Sequence, residues 1–149
     1  METEKKKPFD IADLAATDEG VMHVRDGNDN KTGWAWTFAG PGHPATVAID
    51  REQNARFIAR EQAKERAQVN NKKWKGTDET PEELRQRTID YIVARLLRWT
   101  EIELEGAPFP CTPDNARKIL GDPRYGLVFD QANTFLRDEK DFTKGSAKP

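Results

Sequence analysis

The chain has 149 residues, enough for one domain with free ends, and its 36% hydrophobic and 34% charged residues describe a modest core under a strongly solvated surface. A net charge of −2, from 24 basic against 26 acidic residues, argues against a dedicated nucleic-acid binder, which concentrates positive charge against phosphates. One cysteine leaves no internal disulfide framework, and no apolar run is long enough for a membrane span.

Residues 1–10 (METEKKKPFD) are charged, lack the apolar centre of a secretory signal, and are expected to form a disordered arm before a single α+β domain over 11–137. Ile11, Leu14 and Ala15 fit either a short helix or an extended docking strip. Val21–Arg25 reads as a first strand. Trp34–Phe38 reads as a second, its strict alternation putting Trp34, Trp36 and Phe38 on one face. Between them, DGNDNKTG supplies hairpin-loop residues. AGPGHP (39–44) is turn material, and Thr46–Ile49 is expected to add a third strand, so that strands occupy about 21–49. A sheet this small is marginal alone and has to pack its aromatic face on a helix.

Asp50, with Gln53 three residues on, reads as the cap of a helix over about 51–71. Its stripe is weak: Ala55, Ala59, Ala63 and Ala67 recur at steps of four, helped by Phe57 and Ile58. Arg56–Arg60, Arg60–Lys64 and Glu61–Glu65 are like-charged neighbours. Propensity favours helix here, but packing would bury little area. After a linker at 72–80 comes the clearest helix start in the chain. Thr80 caps, Pro81 takes the first turn and Glu83 sits at the capping-box position. Leu84, Ile89, Ile92, Val93, Leu96 and Leu97 then recur at helical spacing, predicting a central core helix over about 81–99. Ile102–Leu104 is a short apolar run ending at the turn Glu105–Gly106. Thr112–Pro113 starts a helix over 113–120, and Asp122–Pro123 a last one over 123–137, with Leu127, Val128, Gln131, Ala132, Phe135 and Leu136 on one face. Residues 138–149 read as a flexible, solvated tail whose last anchor is Phe142.

Signals for chemistry are weak. Asp26, Asn28 and Asn30 alternate as in a calcium loop, but Lys31 and Thr37 stand where Gly and Glu belong, so a hairpin turn is the better account. His23 and His43 have no second ligand at metal spacing. AGPGHP lacks the Lys-Ser/Thr of a phosphate loop. Cys111 stands at the mouth of a helix, where a dipole would lower its pKa, yet a lone cysteine is more often a small buried hydrophobe. KKWK (72–75) has the basic–aromatic look of a nucleic-acid contact, but reads better as a linker with one Trp. No catalytic residue, cofactor or small-molecule substrate is expected.

Two stretches resemble the tail assembly chaperones of long-tailed bacteriophages and prophages. GWAWTFAGPGHPATVAIDREQNARF (33–57) is similar to the strand, Gly-Pro turn and charged helix near the front of that family. WTEIELEGAPFPCTPDNARKIL followed by DPRYGLVFDQANTFL looks like its back half. The resemblance covers roughly Val21 to Leu136 and rests on architecture and punctuation. It implies a non-catalytic helper in the host bacterial cytoplasm that binds the tape measure protein, and tail tube subunits, while the tail is built. Self-association is a further expected partner mode; nucleic acid and membrane are not. The alternative is a structural tail or head-completion component such as a terminator or connector. The expected client surface is Ala55, Ala59, Ala63 and Ala67, or the face carrying Trp34 and Trp36.

Overall fold

The computed structural model describes residues 7–70 and 79–143. It is an α+β fold with a three-stranded antiparallel sheet toward the N-terminus and a helical layer packed on it. The strands are β1 (Glu19–Arg25), β2 (Lys31–Ala39) and β3 (Leu96–Trp99), in the order β1-β2-β3. The helices are α1 (Pro44–Val69), α2 (Pro81–Arg95), α3 (Pro113–Gly121) and α4 (Gly126–Arg137). A two-residue ladder, β4 (Glu103–Leu104) with β5 (Ala107–Pro108), turns the chain through Glu105 and Gly106, both at positive φ. The expected arm over residues 1–6, the KKWK linker and the last six residues lie outside the described residues.

The hairpin forms as expected. Asp26 Oδ1 accepts the backbone N–H groups of Asn28 and Asn30 at 2.9 and 3.0 Å, so the alternating acid and amides organise a turn. Met22 pairs with Trp36 in register, and Met22, Val24, Trp36 and Phe38 all point into the core. There they meet Ile89 and Ile92 of α2, Ile119 and Leu120 of α3, and Val128, Phe129 and Ala132 of α4. Phe38 lies 5.7 Å from the Phe135 ring of α4, which is the helix the aromatic face required. The outer edge of β1 is closed by a side chain: the Gln131 amide donates to the Arg25 carbonyl and accepts its N–H, at 2.9 and 2.8 Å, standing in for a neighbouring strand.

Several boundaries differ from the sequence reading: the expected helix over 123–137 is a short 3-10 turn, Pro123–Tyr125, followed by α4, and two larger differences are linked. The third strand is Leu96–Trp99, not Thr46–Ile49. Helix α2 therefore stops at Arg95 instead of continuing to residue 99, and Leu96 and Leu97 lie in β3, half-buried. Trp99 then pairs with Trp36 and stacks in the same aromatic cluster. Thr46–Ile49 instead forms the first turns of α1. His43 is the cap, its Nδ1 accepting the Ala45 N–H at 3.0 Å, with Pro44 in the first turn. Thr46 and Ile49, three residues apart, are the residues of α1 that become buried. Leu84, expected on the buried stripe of α2, is 48% exposed, and Leu127 of α4 is 49% exposed.

The cap assignment is directly testable. His43→Ala should cost about 0.5–2 kcal/mol in urea denaturation, the usual loss for a capping side chain. Asp50→Ala, in mid-helix, should stay within about 0.5 kcal/mol of wild type. The reverse ranking would return the helix start to Asp50.

The joint between β2 and α1 is built on one carbonyl. Ala39 O accepts Arg95 Nε at 3.0 Å, Arg95 Nη2 at 2.6 Å and the Thr46 hydroxyl at 3.3 Å. Arg95 is only 3% exposed and lies against the Tyr91 and Phe142 rings. At the next residue only glycine fits, because a Cβ on Gly40 would collide with the Thr17 carbonyl. Phe142 is the last large core residue, 1% exposed within the short turn Glu139–Phe142. The expected solvated tail thus begins at least five residues later than residue 138.

Candidate functional site

Trp34 and Trp36, one of the two expected client faces, lie at different depths of the aromatic cluster. Trp36 is fully buried, and Trp34 is half-buried, edge-on to both Trp36 and Trp99 at 5.2 and 5.3 Å. Among the described residues the indole N–H groups of Trp34 and Trp36 have no hydrogen-bond acceptor. The edge-to-face geometry at Trp34 is the arrangement that aromatic quadrupoles favour. The third indole is satisfied conventionally, with Trp99 Nε1 donating to Phe109 O at 3.0 Å. Trp36 is therefore closed to any partner of the folded chain, a correction to its expected role.

Cys111 lines an open cleft with Trp99, Ile102, Phe109 and Pro110. Burial pushes its thiol pKa up, outweighing a backbone hydrogen bond to Trp99 that acts the other way. It is a half-buried thiol without the depressed pKa of a reactive one. His23 and His43 stand on different elements, and His43 is spent on the helix cap. Among the described residues no group of three or more His, Cys, Asp or Glu side chains converges as metal ligands do.

What remains is a surface. Helix α1 has 26 residues, a length of roughly 39 Å at 1.5 Å per residue, and only Thr46 and Ile49 are buried. Beyond its second turn it stands beside α2 with a groove between them of about 530 Å³. Phe57, 64% exposed, provides the apolar surface in that groove. Arg56, Arg60 and Lys64 line it from α1, and Glu79, Glu83 and Asp90 from the α2 side. Several of these charges are already engaged. Arg87 holds Glu79 through two hydrogen bonds at 2.9 and 3.0 Å, Asp90 holds Arg117 at 2.6 Å, and Arg56 holds Glu52 at 2.6 Å. Gln53 Nε2 donates to the Arg87 carbonyl at 3.1 Å, tying the two helices at the closed end.

The alanine stripe does not lie along this groove. Ala55 and Ala59 are exposed, whereas Ala63 and Ala67 are half-buried. The reason is geometric: a step of four residues turns about 400° around an α-helix, so each alanine sits about 40° further round than the last. Over three steps the stripe winds from the outside of α1 toward the body. Gln53, Phe57, Arg60 and Lys64, at steps of three and four, keep to one side and are the residues that face α2. Phe57 was visible in the sequence only as an aid to the stripe. The partnership with Glu83 and Asp90 required the tertiary fold.

Comparison with protein-family models, curated proteins and solved structures found no match to this chain. The site is therefore read from its chemistry. A long helix with a mixed-charge groove and one exposed aromatic ring has the form of a surface on which another helix can dock.

Proposed function

We propose that this chain is a phage tail assembly chaperone. It binds the tape measure protein, and tail tube subunits, in the host bacterial cytoplasm while the tail is assembled, and it is not catalytic. The observation that supports this best is the exposed length of α1, whose last five turns bury no residue while presenting Phe57 beside a charged groove. An amphipathic client helix laid there would cover Phe57 and find both signs of charge at the rims. The high surface charge would keep such a complex soluble before assembly. The resemblance of residues 33–57 and 99–136 to tail assembly chaperones supplies the identity of the client. Among the described residues, no helix is long and apolar enough to cross a membrane.

The test is co-purification of the full chain with co-expressed tape-measure fragments. Phe57→Asp combined with Arg60→Glu should fold as wild type, because Phe57 is exposed and Arg60, half-buried, lines an open groove, and should lose capture by about tenfold or more. A double variant that folds and captures normally would remove the groove from the client site. Failure of the wild-type chain to capture any fragment would remove the chaperone reading. Recovery of the chain in purified particles would favour the structural alternative, a terminator or connector.

A further inference from the structure

The side of α1 turned away from α2 carries a pattern that is symmetric about its own midpoint. Ile58 is the centre, 53% exposed. Four residues to either side stand the amides Asn54 and Gln62. Seven to either side stand Arg51 and Glu65, and eleven to either side Val47 and Val69. These positions follow one another at spacings of four, three, four, four, three and four, two successive 11-residue spans. Such a repeat advances about 3.67 residues per turn, close to the helix's own period, so the seam stays on one face with little supercoiling. All these residues are exposed except Val47, which is half-buried, and Val69 is 79% exposed. Among the described residues, the side chains of Arg51, Asn54, Gln62 and Glu65 make no hydrogen bond or ion pair.

We propose that this face is an interface between two copies of the chain, with α1 helices packed antiparallel about a twofold axis at Ile58. In an antiparallel pair a residue a given distance before the centre meets the residue the same distance after it. Ile58 then meets Ile58, Asn54 meets Gln62, Arg51 meets Glu65, and Val47 meets Val69. Every layer matches apolar with apolar, amide with amide or acid with base. A parallel, in-register pair would instead set Arg51 on Arg51 and Glu65 on Glu65, so the charges select the antiparallel orientation. Exposed Ala55 beside the seam lets the backbones approach closely. The groove facing α2 lies on another side of the helix, so pairing leaves it open and does not depend on the identity of the client.

Sedimentation velocity on the full chain, over a concentration series up to its solubility limit, tests this. The wild-type sedimentation coefficient should rise with concentration. Arg51→Glu alone and Glu65→Arg alone should each weaken association by about tenfold or more, since two attractive pairs per dimer become repulsive. Combining Arg51→Glu with Glu65→Arg should restore wild-type association. Both residues are exposed, so circular dichroism, and the thermal midpoint measured at a concentration where the wild type is monomeric, should not move in any of the three. A chain that stays monomeric throughout, or association indifferent to the single reversals, would overturn the interface. Single reversals that weaken association without rescue by the double variant would overturn the antiparallel register. Capture of tape-measure fragments by the monomeric single variants is a separate reading, so loss of this interface and loss of the chaperone function are distinguishable.

Discussion

Trp36→Ala is expected to destabilise the chain by about 3–5 kcal/mol, the range for removing a large buried aromatic. Trp36 is fully buried and touches three other rings: Trp34 at 5.2 Å, Phe38 at 5.9 Å and Trp99 at 5.1 Å. It stands in the central strand, paired with Met22 on one side and Trp99 on the other. Removing it leaves a cavity bounded on both sides by strands that cannot close without losing register, so little relaxation offsets the loss. Domains of this kind have margins of about 5–15 kcal/mol, and the variant should lose a large share of that. Urea denaturation followed by far-UV circular dichroism measures it. A midpoint shift equivalent to less than about 1 kcal/mol would mean that the aromatic cluster is not the centre of the core.

Phe142→Ala should cost a similar amount, about 3–5 kcal/mol, although only seven residues follow it in the sequence. Its ring is 1% exposed, sits edge-on to Phe135 at 5.4 Å and underlies the Arg95 guanidinium at 5.1 Å. The space is made by Gly20, where a Cβ would come within 2.8 Å of the Phe142 ring. The Phe142 backbone contributes as well, its carbonyl accepting the Thr17 N–H at 2.7 Å. Truncation after Arg137 should therefore destabilise at least as much as the point substitution. Phe142→Leu should recover part of the loss by refilling the space without the ring contacts. If truncation left the denaturation midpoint unchanged, residues 138–143 would be a dispensable tail.

The local signals in this sequence were sufficient wherever one short-range effect dominated. Thr80 and Thr112 cap α2 and α3, each hydroxyl accepting a backbone N–H three residues on at 3.1 Å, from Glu83 and Asn115. Both caps read directly because a threonine-proline start satisfies its own helix end whatever the rest of the chain does. The reciprocal half of the Thr80 box, a Glu83 carboxylate reaching back, is not formed among the described residues. The strand Trp34–Phe38 was equally legible, since alternation puts three aromatics on one face and only a strand does that.

Composition, the threonine caps of α2 and α3, the aromatic strand and the α+β class were thus properties of the sequence alone. Which segment became the third strand was not. Thr46–Ile49 and Leu96–Trp99 are both short apolar runs, compatible with either state until a partner is chosen. Beside β2, Leu96–Trp99 brings Trp99 onto Trp36, a gain in buried aromatic surface that ends α2 one turn early. Thr46 and Ile49, released from the sheet, bury themselves at helical spacing, and the Thr46 hydroxyl shares the Ala39 carbonyl with Arg95. The candidate site followed the same rule. Four alanines at steps of four are visible in the sequence, but 3.6 residues per turn winds them off any single face. Which side of α1 meets α2 was decided by where Thr46 and Ile49 anchored the helix, a long-range packing choice with no local signature.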